Sequence, residues 1–314
     1  MDTILKLRNY YNNNCKGLVF VGEKVLKDNN KCKMYFLSVD SQTELNNYRK
    51  VFQEYLVFYV RNRDHLSSMK SIIEANTDEL LSQKLLFEGK KIHENKGLYP
   101  QIEISQSGIY GELFNDFYLN IVKQEEVIST YSMRSSFGVP NVKGVDIVSV
   151  KLEEDNICLI FSESKFVSSI VSAATNLCND ISGKDGQLGH LTKDYINSYT
   201  SFFMNKYHSI YFNKEKSKLI MLKLNDLNDL IMNGNKQPIN AINDLNIKIR
   251  FDFFAIYHDI IYNIEDRKKY FEQIVDQFNA NILSTGIKNY DIEVIFIPTK
   301  NESIVIKRGI EEWN

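Results

Sequence analysis

Apolar and polar residues alternate along residues 145–152 and again along 157–165, and a polar tetrad, Glu153-Glu154-Asp155-Asn156, separates the two runs. A period of two predicts strands, and the tetrad predicts the turn of a hairpin. Before this pair, Phe114, Phe117, Tyr118 and Ile121 fall at helical spacing in a segment running from Gly111 to about Val122. Residues 126–134 then predict a strand. After the hairpin, Ile170, Ala173, Ala174, Leu177 and Ile181 share one helical stripe, which Gly183 is expected to end. The order to this point is α-β-β-β-α.

A long, mostly helical stretch rich in Tyr and Phe follows, from Leu191 to about Met232. Alternation returns at residues 247–253, and a helix is expected from Asp266 to Leu283, closed by Gly286. Residues 292–297 predict a last strand. It is nearly all apolar, as expected of a strand buried on both faces.

The N-terminal third reads as mixed α/β. Short strands are expected at 17–21 and 33–39. Ser41-Gln42-Thr43-Glu44 has the form of a capping box, opening a helix that carries Leu45, Tyr48, Phe52, Leu56 and Val60 on one stripe. A further helical segment is expected between Asp64 and Phe87. The loop around Gly97 to Pro100 is the expected boundary. The fold class is therefore α/β. Residues 1–100 form an accessory region suited to partner binding, and residues 101–314 form the main domain, with a helical insertion over about 185–245.

Composition narrows the class. The 314 residues are 43% hydrophobic and 25% charged, the balance of a globular protein. No apolar run approaches the ~20 residues of a membrane helix, and the first residues show no apolar segment of a signal peptide. Cys15, Cys32, Cys158 and Cys178 are widely spaced, with no C-x-x-C pair. That spacing disfavours a zinc ribbon or a disulfide scaffold and makes a reducing cytoplasm the expected compartment. Net charge is −2. Between Gln106 and Thr200, seven Lys and Arg face twelve Asp and Glu. That stretch has no basic footprint for gripping nucleic acid unaided. It either holds cations or depends on a partner to bring a polyanion.

The hairpin concentrates the candidate chemistry. A turn centred between Glu154 and Asp155 sets Asp146 opposite Glu163, Val148 opposite Phe161, Val150 opposite Leu159 and Leu152 opposite Ile157. One face is then apolar throughout, apart from Asp146, Glu163 and Lys165 at one end. Two facing carboxylates repel, and more so at the rim of an apolar face. A divalent cation removes that conflict. Mg²⁺ takes oxygen ligands and is typically held by one or two carboxylates plus substrate phosphate. An ammonium at Lys165 can acidify an attacking water or steady charge developing on phosphorus. Glu-x-Lys occurs three times in the chain, at Glu88, Glu94 and Glu163. Only the third ends an apolar strand preceded by an Asp-bearing strand in antiparallel register. The plain alternative is a hairpin whose charged end merely meets solvent. Glu112, in the first turn of the preceding helix, is either a third carboxylate toward the metal or a partner of the helix dipole.

This order of elements, with Gly144-Val145-Asp146 opening one strand and Glu163-Ser164-Lys165 closing the next, resembles the PD-(D/E)xK nuclease core. More narrowly, Gly111-Glu112-Leu113, Lys143-Gly144-Val145-Asp146 and Ser162-Glu163-Ser164-Lys165 look like HamA, the nuclease family of Hachiman anti-phage defence systems. The resemblance is good over about 109–181, loose in the C-terminal α/β part, and only positional in the first third. It implies a restriction-endonuclease-like core and a Mg²⁺-dependent (or Mn²⁺-dependent) DNase, restrained by a partner helicase, HamB, until phage-related DNA is sensed. It also implies Asp146 and Glu163 as metal ligands, Lys165 as catalytic base and Glu112 as accessory ligand. One departure is Val145 in place of a Pro before Asp146.

Other residues carry less. His65, His93, His190, His208 and His258 show no metal spacing. Gly183-Lys184-Asp185-Gly186 is no phosphate-binding loop, so an ATPase would have to be another chain. Ser168 and Ser169 lack His and Asp partners in any hydrolase context. Arg134 can equally touch phosphate or end a strand in solvent. The aromatic run Tyr195, Tyr199, Phe202, Phe203, Tyr207 and Tyr211 suits core or partner packing better than base stacking. The rival to a nuclease is a nuclease-like module that only binds a helicase or DNA. A stand-alone restriction enzyme is the third reading.

Overall fold

A computed structural model describes residues 3–16, 18–26, 28, 30–37, 117–125, 127–132, 147–167, 169–182, 214–257 and 264–298, with single positions 43, 47, 48, 50, 51, 55, 115, 197 and 200. In chain order the elements are α1 (Thr3–Asn14), β1 (Leu18–Val25), β2 (Lys31–Leu37), a π-helical turn (Tyr118–Val122), β3 (Val127–Ser132), β4 (Ile147–Glu153), β5 (Asn156–Val167), α2 (Ile170–Ser182), α3 (Lys214–Met232), α4 (Pro238–Asp244), β6 (Lys248–Tyr257), α5 (Ile264–Thr285) and β7 (Tyr290–Pro298).

The strands form one mixed seven-stranded sheet, ordered β1-β2-β7-β6-β5-β4-β3. Its centre, β2-β7-β6-β5, is parallel throughout. Antiparallel strands flank it, β1 on one side and β4-β3 on the other. Parallel strands lie covered on both faces. Accordingly β6 is buried from Ile249 to Tyr257, and every residue from Ile292 to Ile297 of β7 is buried. The near-continuous apolar run of the last predicted strand thus has the expected cause.

The hairpin β4–β5 turns at Glu154, whose φ of 54° is in the left-handed region. Two-residue hairpin loops need such a conformation to match strand twist. The helix after it carries the predicted stripe: Ile170, Ala173, Ala174, Leu177 and Ile181 are all buried in the core with Val148, Val150, Leu159 and Phe161. Ser169 caps α2, its Oγ accepting from the Ser172 amide at 3.1 Å. That is the role of a serine that offered no hydrolase context. α5 ends at Gly286 with φ 82°, a left-handed stop. α4 begins on Pro238, where a missing amide hydrogen is harmless.

Phe251, Phe253 and Tyr290 gather around Phe278 of α5, with ring centroids 4.9, 5.8 and 5.8 Å away. On the opposite face, α1 packs against the π-helical turn. Arg8 donates from Nε to the Asn120 carbonyl at 2.7 Å and from Nη2 to the Glu125 carbonyl at 2.9 Å. Tyr118 of that turn sits edge-on to Phe254, with centroids 4.7 Å apart. The expected helix reaching Val122 is therefore helical at its described end, with wider turns than an α-helix. Of the stripe expected after Ser41, Tyr48 is described and buried.

The boundary expected near residues 97–100 lies outside the described residues. The two strands that precede it belong to the common sheet, since β2 runs beside β7. Asn30 ties the two together. Its amide donates to the Lys288 carbonyl, and its oxygen accepts from the Tyr290 amide, both at 3.1 Å.

Candidate functional site

Strand register decides which side chains meet. Val148 lies opposite Phe161, Val150 opposite Leu159 and Leu152 opposite Ile157, the pairing that the polar turn predicts. Glu163 and Lys165 continue the β5 series on the core-facing side, level with Phe253 and Ala255 of β6. Asp146, one position before β4, and Glu112 lie outside the described residues.

The Glu163 side chain is only 4% exposed, and Lys165 is 18% exposed beside it. Lys165 Nζ donates to Glu163 Oε1 at 2.6 Å. A carboxylate at this depth is tolerable because an ammonium partners it. The same ammonium forms an ion pair with Asp180 Oδ2, from α2. Sequence reasoning brought out Glu163 and Lys165 and passed over Asp180. Its signal was the interruption of an apolar stripe: Ala173, Leu177 and Asp180 are spaced by four and three on a helix whose neighbours on that face are buried.

Chemically, Glu163 offers a hard oxygen donor at the edge of an apolar face, and a cationic group already sits on it. That donor chemistry suits Mg²⁺ or Mn²⁺ completed by water and phosphate. Among the described residues, no three His, Cys, Asp or Glu side chains gather as a metal cluster.

A second charged group fills the other face of the sheet, and the sequence reading did not anticipate it. Arg250 is buried and holds two carboxylates at once. It reaches Asp252 through Nε at 2.8 Å and Nη2 at 2.7 Å, and Glu125 through Nη1 at 2.5 Å and Nη2 at 2.9 Å. Lys123 pairs with Glu293 and stands 3.4 Å from Glu125, and Lys151 stands 3.6 Å from Glu125. Around Glu125, Asp252 and Glu293 stand three cations, and Lys151 also reaches Glu153 at 3.4 Å. Burial raises the Asp252 carboxyl to about 6 against the pull of Arg250, with Glu293 adding like charge. Burial also pushes Glu125 upward, but Arg250 and Lys123 prevail and hold it well below the carboxylate range. The signal was legible in Lys248-Ile249-Arg250-Phe251-Asp252, where charge alternates with apolar residues in a strand too apolar to lie at a surface. The paired charges mark this cluster as a clamp joining β6, β7 and the segment after the π-helical turn.

All five histidines, Arg134 and the aromatic run from Tyr195 to Tyr211 lie outside the described residues. The four cysteines form no disulfide. Among the described residues, no helix is long and apolar enough to cross a membrane.

The sequence model of the HamA family matches residues 13–311, nearly the whole chain. A comparison with curated proteins finds no match.

Proposed function

The chain belongs to the HamA family, a component of Hachiman anti-phage defence, and from that premise we propose that it acts as a metal-dependent DNA nuclease with a PD-(D/E)xK core. The observation that carries this reading is the buried Glu163 with Lys165 Nζ 2.6 Å away, two residues along the same strand. Packing does not call for such a pair, because apolar side chains of similar volume usually serve stability at least as well. A buried acid–base pair at the end of an apolar strand instead suits a reactive site.

In this reading Asp146 and Glu163 would hold Mg²⁺ or Mn²⁺, with Glu112 as accessory ligand. Such an ion, when bound, supplies positive charge to the phosphate and acidifies water. Glu163 contributes oxygen donors from a strand fixed on both sides, which keeps the site rigid. Lys165, held as an ammonium between two carboxylates, eases loss of the attacking water's proton to solvent and balances the charge gathering on phosphorus; the base role that the resemblance implies would require its neutral amine. The core face behind them excludes solvent. A HamB-like helicase restrains the chain and delivers DNA, which accounts for the acidic stretch around the site, and both act in the cytoplasm.

The test is a DNA-degradation assay of the complex with Mg²⁺ or Mn²⁺. The wild type is expected to degrade DNA. Glu163→Ala and Lys165→Ala are expected to lose at least about a hundredfold, the usual worth of a positioned acid–base or electrostatic group. Degradation at the wild-type rate by both variants would remove the assignment.

A further inference from the structure

Lys165 is contacted by two carboxylates from different elements, and the second has no assigned role. Glu163 shares its strand, whereas Asp180 arrives from α2, fifteen positions later. The side chains are exposed to 4% for Glu163, 18% for Lys165 and 26% for Asp180, and the Asp180 oxygen that meets Lys165 is itself buried. α2 is held in place by Ala173, Ala174, Leu177 and Ile181 in the core, and it packs on β5, β6 and α5. Asp180 therefore presents a fixed anchor.

We propose that Asp180 is the positioning residue of Lys165, holding its ammonium in place when Glu163 is engaged by a divalent cation. This rests on the nuclease reading of Glu163 and Lys165. The physical reason is competition. Glu163 Oε1 now accepts from Lys165 at 2.6 Å. An ammonium that close repels any second cation on the same carboxylate. An ammonium carries three donors and can serve two acids at once. Asp180 holds it from α2 while leaving it within reach of Glu163. The carboxylate of Glu163 is thereby released to a cation, and Lys165 stays beside the reacting phosphate. Without Asp180 the ammonium settles onto Glu163 and stands in for the metal.

Direct Mn²⁺ binding to the full chain, read by electron paramagnetic resonance of the unbound ion, tests this without any turnover. Asp180→Asn is expected to weaken Mn²⁺ binding about fivefold, the equilibrium worth of a partly exposed ion pair. Lys165→Met is expected to tighten binding. Adding Asp180→Asn to Lys165→Met is then expected to change nothing further, because the competitor is already gone. Asp180→Glu, which keeps the charge, is expected to bind nearly as the wild type does, and thermal unfolding of each variant separates misfolding from lost positioning. An unchanged affinity in Asp180→Asn overturns the proposal. So does an equal loss with and without Lys165, which would make Asp180 a ligand or a structural residue. Mn²⁺ binding indifferent to Glu163→Gln is a separate outcome that removes the metal site itself, and the role of Asp180 with it.

Discussion

Glu163 and Arg250 sit on opposite faces of one sheet and meet the problem of buried charge differently. Glu163 is served by Lys165 and, through it, by Asp180 nearer the surface. Arg250 is enclosed by Glu125 and Asp252, each in a two-bonded contact. Breaking a buried pair leaves charges without compensation. Arg250→Ala is therefore expected to lower stability by about 3–5 kcal/mol, read by urea denaturation. A loss under about 1 kcal/mol, as for a surface pair, would contradict the clamp. Glu163 and Lys165 were visible in the sequence because an acid and a base at positions i and i+2 closed an apolar strand. Asp180 was obscured by the apolar stripe that it interrupts. Arg250 and Asp252 alternate within one strand, but Glu125 lies 125 positions away, so the closing of the cluster is a property of the assembled sheet. Asp146 and Glu112 remain expectations from sequence.

At the scale of elements, what was local was readable. The β4–β5 register follows from a polar turn and a strict alternation, because a slip by one residue would turn every core side chain outward. α2 announced itself by its stripe, and α5 by its terminal glycine. The widened turn at Tyr118–Val122 was not readable, because Phe117, Tyr118, Leu119, Asn120 and Ile121 are all buried and periodicity no longer marks a face. Among these packing units Phe278 is the best probe, since three rings from β6 and β7 converge on it. Phe278→Ala is expected to cost about 3–5 kcal/mol through the cavity it leaves, measured as a shift in the denaturation midpoint. A shift within error would mean that the rings close over the gap.

For the whole molecule, the sheet is the governing fact. Residues 1–100 were expected to act as an accessory region, yet β2 is a central strand bonded to β1 on one side and β7 on the other. Removing residues 1–37 would bare the edge of β7, which is apolar from Ile292 to Ile297 except at Glu293. Long, exposed, apolar edges pair with other chains. The truncated protein is expected to elute as aggregates in size-exclusion chromatography, and a monodisperse monomer would show that the remaining strands stand alone. No local pattern reveals such a partnership. The two strands were each predictable, but their adjacency was not.

That adjacency also sets the order of events at the ribosome. Lys31 and Asp291 meet in the sheet although they are 260 positions apart. β5, which carries Glu163 and Lys165, lacks its parallel neighbour until β6 has emerged, and β6 waits in turn for β7. Pairings of such long range close slowly and only after their loops have formed. Glu163 and Lys165 thus reach their folded surroundings only once β6 and β7, about a hundred residues further along the chain, have been made.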